Sequence, residues 1–109
     1  MEKNEIFYVN DVPINIYTVE YVNKIKNAFG FIYITTNLIN KKKYIGQKKI
    51  VKNDSHWKTY LGSGNALKKA VTKYGKENFD RKIIDIAFSF EELNKLELFY
   101  TKAFSVVTD

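Results

Sequence analysis

Tyr33 and Tyr44 stand at comparable places in two adjacent β-prone runs, with ten residues between them. In a hairpin, that spacing lets the two phenols approach each other. A phenol is uncommon catalytic equipment, because a pKa near ~10 leaves it neutral at pH 7 unless a cation or metal favours the phenolate. Cations are close by in sequence: Lys48, Lys49 and Lys58 crowd the segment around His56. His56 is the only histidine and a candidate acid for a leaving group; a surface imidazole is the bland alternative. On periodicity alone, two strand aromatics among eight tyrosines are ordinary core or surface residues. Other chemistries are narrowed by composition. With no cysteine there is no disulfide, thiolate or Cys-type zinc site. One histidine is too few for a His-based metal cluster.

Charge points to the class of partner. The 109 residues carry a formal net charge of +6 and a pI of about 9.4, which suits a phosphate-rich partner. Arg81 is the single arginine among 18 Lys and Arg residues. Lysine meets phosphate as a mobile point charge, whereas arginine offers a flat fork, so basic contacts here are expected to be generic and salt-sensitive. No apolar run approaches the ~20 residues that span a bilayer. The start, Met-Glu-Lys-Asn-Glu, lacks a signal-peptide pattern, and a cytoplasmic location is expected.

The elements that must position these groups follow from patterning. Residues 6–9 and 14–19 are short β-prone runs separated by Asp11-Val12-Pro13, which reads as a hairpin or an irregular arm. Residues 20–28 suit a short helix with Tyr21, Val22 and Ile25 on one side. Residues 1–29 are therefore expected to form an N-terminal extension, and 30–109 the main domain. Phe31 to Thr36 is a strong strand candidate, and Lys43-Tyr44-Ile45-Gly46 starts its hairpin partner. Residues 47–63 read as basic and irregular. Ser63 or Asn65 can cap a helix through Tyr74, ended by Gly75, with Leu67, Ala70, Val71 and Tyr74 as its buried face. Residues 79–87 make a third strand. Ser89 to Glu92 is a capping box opening a helix to about Ala103, striped by Leu93, Leu96, Phe99, Tyr100 and Ala103. Glu97 lies near the edge of that stripe. The order β-β-α-β-α predicts an α/β (α+β) sandwich, a three-stranded antiparallel sheet flanked by helices.

Phe31-Ile32-Tyr33 and, ten residues on, Tyr44-Ile45-Gly46 resemble the signature of the GIY-YIG nuclease superfamily. Tyr60-Leu61-Gly62-Ser63-Gly64, the run Lys73-Tyr74-Gly75-Lys76-Glu77-Asn78-Phe79, and Glu91 to Glu97 resemble phage and mobile-element members of it. The resemblance covers about residues 30 to 104 and includes the element order. It implies a homing-endonuclease-like catalytic domain that hydrolyses nucleic-acid phosphodiesters with one Mg²⁺ or Mn²⁺ ion. Glu97 matches the glutamate that binds the metal, a hard cation that takes carboxylate oxygen and keeps waters. Tyr33 matches the general base on the attacking water, and Tyr44 a donor to a phosphate oxygen or to that water. Gly46, Lys48, Lys49, Lys58 and Lys69 become candidate nucleic-acid contacts. DNA is the expected partner, with RNA open. Specificity is expected to come from an attached domain, a partner or a homodimer, since one arginine makes a poor base reader.

The sequence departs from the family pattern at three places. Phe31 replaces the leading glycine, with Gly30 one place earlier. The arginine usual after the second motif is missing, and His56, Lys58 and Lys48 compete to supply that cation. The asparagine common downstream of the glutamate helix has no counterpart before Asp109. These departures leave open a second reading, a nucleic-acid-binding module that kept the fold without the activity. A third is a protein-interaction domain using the arm aromatics Phe7, Tyr8, Tyr17 and Tyr21.

Overall fold

A computed structural model of the chain describes residues 5–51, 53–104 and 107–108. At its centre β3 (Gly30–Asn37) pairs antiparallel with β4 (Lys43–Lys49) on one side and with β5 (Phe79–Ala87) on the other. The helices α2 (Asn65–Tyr74) and α3 (Phe90–Phe104) follow β4 and β5 respectively, so the core order is β-β-α-β-α as patterning predicts. A short parallel strand, β6 (Val107–Thr108), pairs with β4 at Tyr44 and Ile45 and makes a fourth strand. On its outer edge, β4 has no strand partner beyond Ile45 among the described residues.

The sheet is covered on both faces, which explains why β3 is buried along its whole length. On one face Ile32, Ile34 and Ile45 pack with Leu93 and Phe104 of α3. On the other, Phe31, Tyr33 and Ile83 pack with Trp57 and Val22, while Tyr44 packs with Leu67 of α2. A register shift between Ile32 and Tyr33 puts a bulge in the β3–β5 ladder. Ile83 and Ile84 point to opposite faces by ordinary strand alternation, and the bulge brings Ile86, three residues after Ile83, back to the Tyr33 side.

The N-terminal segment is a true hairpin, β1 (Glu5–Val9) and β2 (Val12–Ile16), followed by α1 (Val19–Lys24). The turn is Asn10-Asp11, both at positive φ, as a two-residue hairpin turn demands. Pro13 therefore lies within β2 rather than between the strands. It faces Tyr8, one step from the Val9–Val12 pair that closes the turn. That makes Tyr8–Pro13 a non-hydrogen-bonded pair, where the missing N–H costs no ladder bond. Val9 and Ile16 join the α3-side core. At Tyr17, whose N–H donates to the Ile83 carbonyl at 2.9 Å, the chain reaches the outer edge of β5 and continues to α1 on the opposite face.

Other boundaries shift from expectation for local reasons. The irregular reading of residues 47–49 is overturned, since β4 runs on to Lys49. α1 stops at Lys24 because Ile25 adopts extended backbone. Gly64, not Ser63 or Asn65, occupies the α2 N-cap, and Gly75 ends that helix at φ 92° as expected. In α3 the buried stripe is Leu93, Leu96, Tyr100 and Phe104, while Phe99 is 61 % exposed and Ala103 is also exposed. The seven-residue step from Leu93 to Tyr100 keeps one face, and Phe99 falls a full helical step off it.

Candidate active site

Register sets the tyrosines. Tyr33 lies opposite Gly46, and Tyr44 lies opposite Thr35, so both phenols leave the same sheet face but are offset by two residues. They enter different packing groups, Tyr33 with Phe31 and Trp57, Tyr44 with Leu67 and Phe79. Tyr33 is 1 % exposed and Tyr44 2 %, so both rings are parts of the core. Lys42 carries its ammonium 5.7 Å from the Tyr44 ring centre.

Tyr60 gathers the other polar candidates around Tyr33. Its ring meets Tyr33 edge-on at 5.9 Å and His56 at 5.6 Å, and the Lys48 Nζ sits 4.4 Å above it. His56 opens a single 3₁₀ turn, His56–Lys58, whose Trp57 is buried against Phe31. His56 and Tyr60 also line a hollow of ≈650 Å³ that runs to Lys68 and Lys76 beside α2. Lys58 points elsewhere, with its Nζ 5.9 Å from the Trp57 ring. Lys69 is exposed on α2.

Arg81 is what holds this loop in place. It pairs with Thr35 across β3–β5. From there Nη1 donates to the carbonyls of Trp57 at 2.7 Å and Tyr60 at 2.8 Å, and Nη2 to that of Lys58 at 3.1 Å. Thr35 Oγ1 donates to the next carbonyl, Leu61. Burial pushes the guanidinium down to about 10, and the nearby Tyr33 phenol acts in the opposite direction, so it stays a cation at neutral pH. The one arginine of the chain thus serves the segment from which the family arginine is missing, but through its backbone.

Glu97 lies on the other side of the sheet. Gln47 Nε2 donates to Glu97 Oε1 and to Asn94 Oδ1, both at 2.9 Å. Lys49, also on that side, lies 5.4 Å from the Phe29 ring. Consecutive residues of β4 therefore face opposite ways: Gln47 reaches Glu97, while Gly46 and Lys48 belong to the tyrosine face. The two groups flank one strand, whose edge beyond Ile45 lacks a strand partner among the described residues.

Among the described residues no three His, Cys, Asp or Glu side chains converge on a point. One carboxylate, with one oxygen held by Gln47, still fits Mg²⁺, which is commonly bound by one or two carboxylates plus waters and substrate phosphate. Tyr60, Gln47 and Arg81 were not singled out from sequence as site residues. The available signals were the lone arginine in a lysine-rich chain and the glutamine directly after Tyr44-Ile45-Gly46.

A family model described as "Putative endonuclease segE, GIY-YIG domain" matches residues 16–109. The chain is 44% identical over 70 residues to "Putative endonuclease segE" of Enterobacteria phage T4, covering 59% of this chain and 33% of that protein. It is 41% identical over 80 residues to "Putative endonuclease segD" of the same phage, covering 72% and 34%. It is 35% identical over 72 residues to "Endonuclease segA", also of that phage, covering 66% and 31%. The chain spans about a third of the length of these relatives. No solved structure matches. No helix among the described residues is long and apolar enough to cross a membrane. With the element order in place and the family match running from the end of the β1–β2 hairpin to the last residue, this chain belongs to the GIY-YIG family, in its segE branch.

Proposed function

We propose that the chain is the catalytic domain of a metal-dependent DNA endonuclease working in the cytoplasm of a host cell. The observation that carries this reading is the two-sided use of β4, with Gln47 holding Glu97 on one face and Lys48 meeting the Tyr60–Tyr33 pair on the other. A phosphodiester laid along that strand edge would have the carboxylate on one side and the phenols on the other. Glu97 would hold a single Mg²⁺ or Mn²⁺, whose chemistry is to neutralise charge on phosphoryl oxygens and to steady the leaving oxygen. Tyr33 would take the proton of the attacking water, and Tyr44 would donate to a phosphate oxygen or to that water. Gly46 would give the backbone room for the substrate opposite Tyr33. His56, whose ring meets that of Tyr60, would act as the leaving-group acid, and Lys48, 4.4 Å above the Tyr60 ring, would supply the missing cation. Lys49, Lys58 and Lys69 would serve as outlying phosphate contacts, and target choice would rest with another domain, a partner or a second copy.

Incubation of supercoiled plasmid with Mg²⁺ or Mn²⁺ tests the reading. Nicking or linearisation is expected, abolished by EDTA and by Glu97→Ala. Cleavage that survives Glu97→Ala would sink the assignment of the metal ligand. A second reading, binding without cutting, is favoured by one observation: Arg81 is committed to backbone carbonyls, so no arginine is left for the transition state. Salt-sensitive DNA binding with no cleavage under either metal would select it.

A further inference from the structure

The tyrosine face also carries a hollow of which the proposed function uses Lys58 alone. Between α1 and the chain after β4 lies a cleft of ≈480 Å³. Val22 and Trp57, both buried, form part of its lining, and Lys24, Lys26 and Lys58 line it too, with Asp54 the carboxylate among them. Lys24 and Lys26 are exposed, and the salt bridge found among the described residues, Lys82–Asp80, involves none of the three cleft lysines. Lys24 has a structural rationale in the last turn of α1, where a cation complements the helix end. Lys26 lies beyond the helix and has no such role. Three ammonium groups against one carboxylate leave the cleft an excess of positive charge that a polyanion would relieve.

The cleft lies on the same sheet face as Tyr33. Trp57 lines it and meets Phe31 at 5.7 Å, and Phe31 meets Tyr33 at 6.2 Å, so one buried aromatic row underlies both places on that face. A nucleic acid seated at Tyr33 would have to extend past one side of the His56–Lys58 turn or the other. We propose that this cleft is a second nucleic-acid contact, in which Lys24, Lys26 and Lys58 hold backbone phosphates flanking the bond addressed at the tyrosine face. The proposal rests on the endonuclease reading and gives the segment before β3 a function. The occupant is the sugar–phosphate backbone, held without sequence readout, because ammonium groups position a duplex but do not specify it.

The test uses the chain with Lys24→Ala/Lys26→Ala, two exposed positions whose truncation should leave stability near that of the parent chain, checked by urea unfolding. Binding of a fluorescent duplex is measured by anisotropy across a salt series. Each phosphate contact contributes about 0.9 to the slope of log affinity against log salt, so the slope should fall by about 2. At about 0.1 M salt, affinity should fall by roughly 60-fold, the loss shrinking toward about 1 M. Plasmid cleavage at saturating DNA should keep its rate. The control is Lys95→Ala/Lys102→Ala, which removes the same charge from exposed positions on α3, across the sheet, and should leave the slope near that of the parent chain. Equal losses in both variants would mean diffuse attraction and overturn the cleft. An unchanged slope in the α1 variant, with the parent chain still binding and cutting DNA, would overturn the cleft and leave the nuclease reading standing. A parent chain that binds no duplex would overturn both.

Discussion

Arg81 donates to three backbone carbonyls of one loop, a task that needs a planar fork and that a lysine cannot duplicate. Arg81→Lys keeps the charge and loses the geometry. It should destabilise the chain by about 1.5–3 kcal/mol, the range for hydrogen bonds to a charged group. Trp57, the only tryptophan, sits in the loop, so its fluorescence should report a loosened turn in native conditions. A variant with parent-like stability and emission would show that the loop holds itself. Gln47 acts on the opposite face. Losing a partner that orients a metal-binding carboxylate typically costs 10–100-fold in metal affinity or activity. Gln47→Ala should therefore raise the Mg²⁺ concentration for half-maximal cleavage by about that factor and recover rate at saturating Mg²⁺. An unaltered Mg²⁺ titration would remove Glu97 from the metal site or Gln47 from its support. Sequence could mark Arg81 as unusual and name Lys48, Lys58 and His56 as rival cations, because residue type and order are enough for that. It could not show that the arginine faces the loop, because that depends on the β3–β5 register, which a bulge resets at Tyr33.

Among the elements, those with strong local signals were legible and those fixed by packing were not. The α3 start is an example of the first kind: Ser89 Oγ accepts from the Glu92 N–H at 3.1 Å. The return bond differs in detail, since Glu92 Oε1 accepts from the Phe88 N–H at 2.7 Å, one residue before the cap. The far end of α3 is an example of the second kind, where Phe104 is buried and Phe99 is not, because the hairpin and sheet choose the face. Gly30 is another. A Cβ there would lie 2.7 Å from the Lys48 carbonyl oxygen and 2.9 Å from Leu93 Cδ2, where β3, β4 and α3 meet. Gly30→Ala should cost about 1–3 kcal/mol of overpacking, measured by urea unfolding; a cost below ~0.5 kcal/mol would mean the junction yields freely. Tyr100 ties α3 to β5 by donating to Asp85 Oδ2 at 2.6 Å. Burial, and then that bond, raise the Tyr100 phenol above its usual value. A raised folded pKa means the contribution is complete below the unfolded value near ~10 and is lost as pH rises above it. Tyr100→Phe should therefore lower stability by about 1.5–3 kcal/mol at neutral pH and flatten the decline above about pH 10. A mutant curve parallel to the parent's in alkali would place that decline on other groups.

At the scale of the whole molecule, the segment before β3 is wrapped around the sheet. Its hairpin covers the α3 face, Tyr17 pairs at the β5 edge, and α1 lies on the tyrosine face with Val22 against Phe31 and Tyr33. Asn10, in the hairpin turn, donates from Nδ2 to the Phe104 carbonyl at 2.8 Å and ties the first element to the end of α3. Such an arrangement should unfold as one unit, although residues 1–29 read in sequence as an N-terminal extension to the main domain. Val9 is the place to test this. It is fully buried with Ile32, Ile34 and Leu93, yet lies across the sheet from Trp57. Val9→Ala removes apolar contacts and leaves a partial cavity, which should cost about 2 kcal/mol. If the hairpin belongs to the cooperative core, urea unfolding followed by Trp57 fluorescence and by far-ultraviolet circular dichroism should give coincident midpoints, both lowered by the substitution. If the hairpin is an independent appendage, Trp57 will report an unchanged midpoint because its own surroundings are untouched. Coincidence would make the wrap part of what keeps the two faces of β4 in register, and so part of what keeps Glu97 opposite the tyrosines.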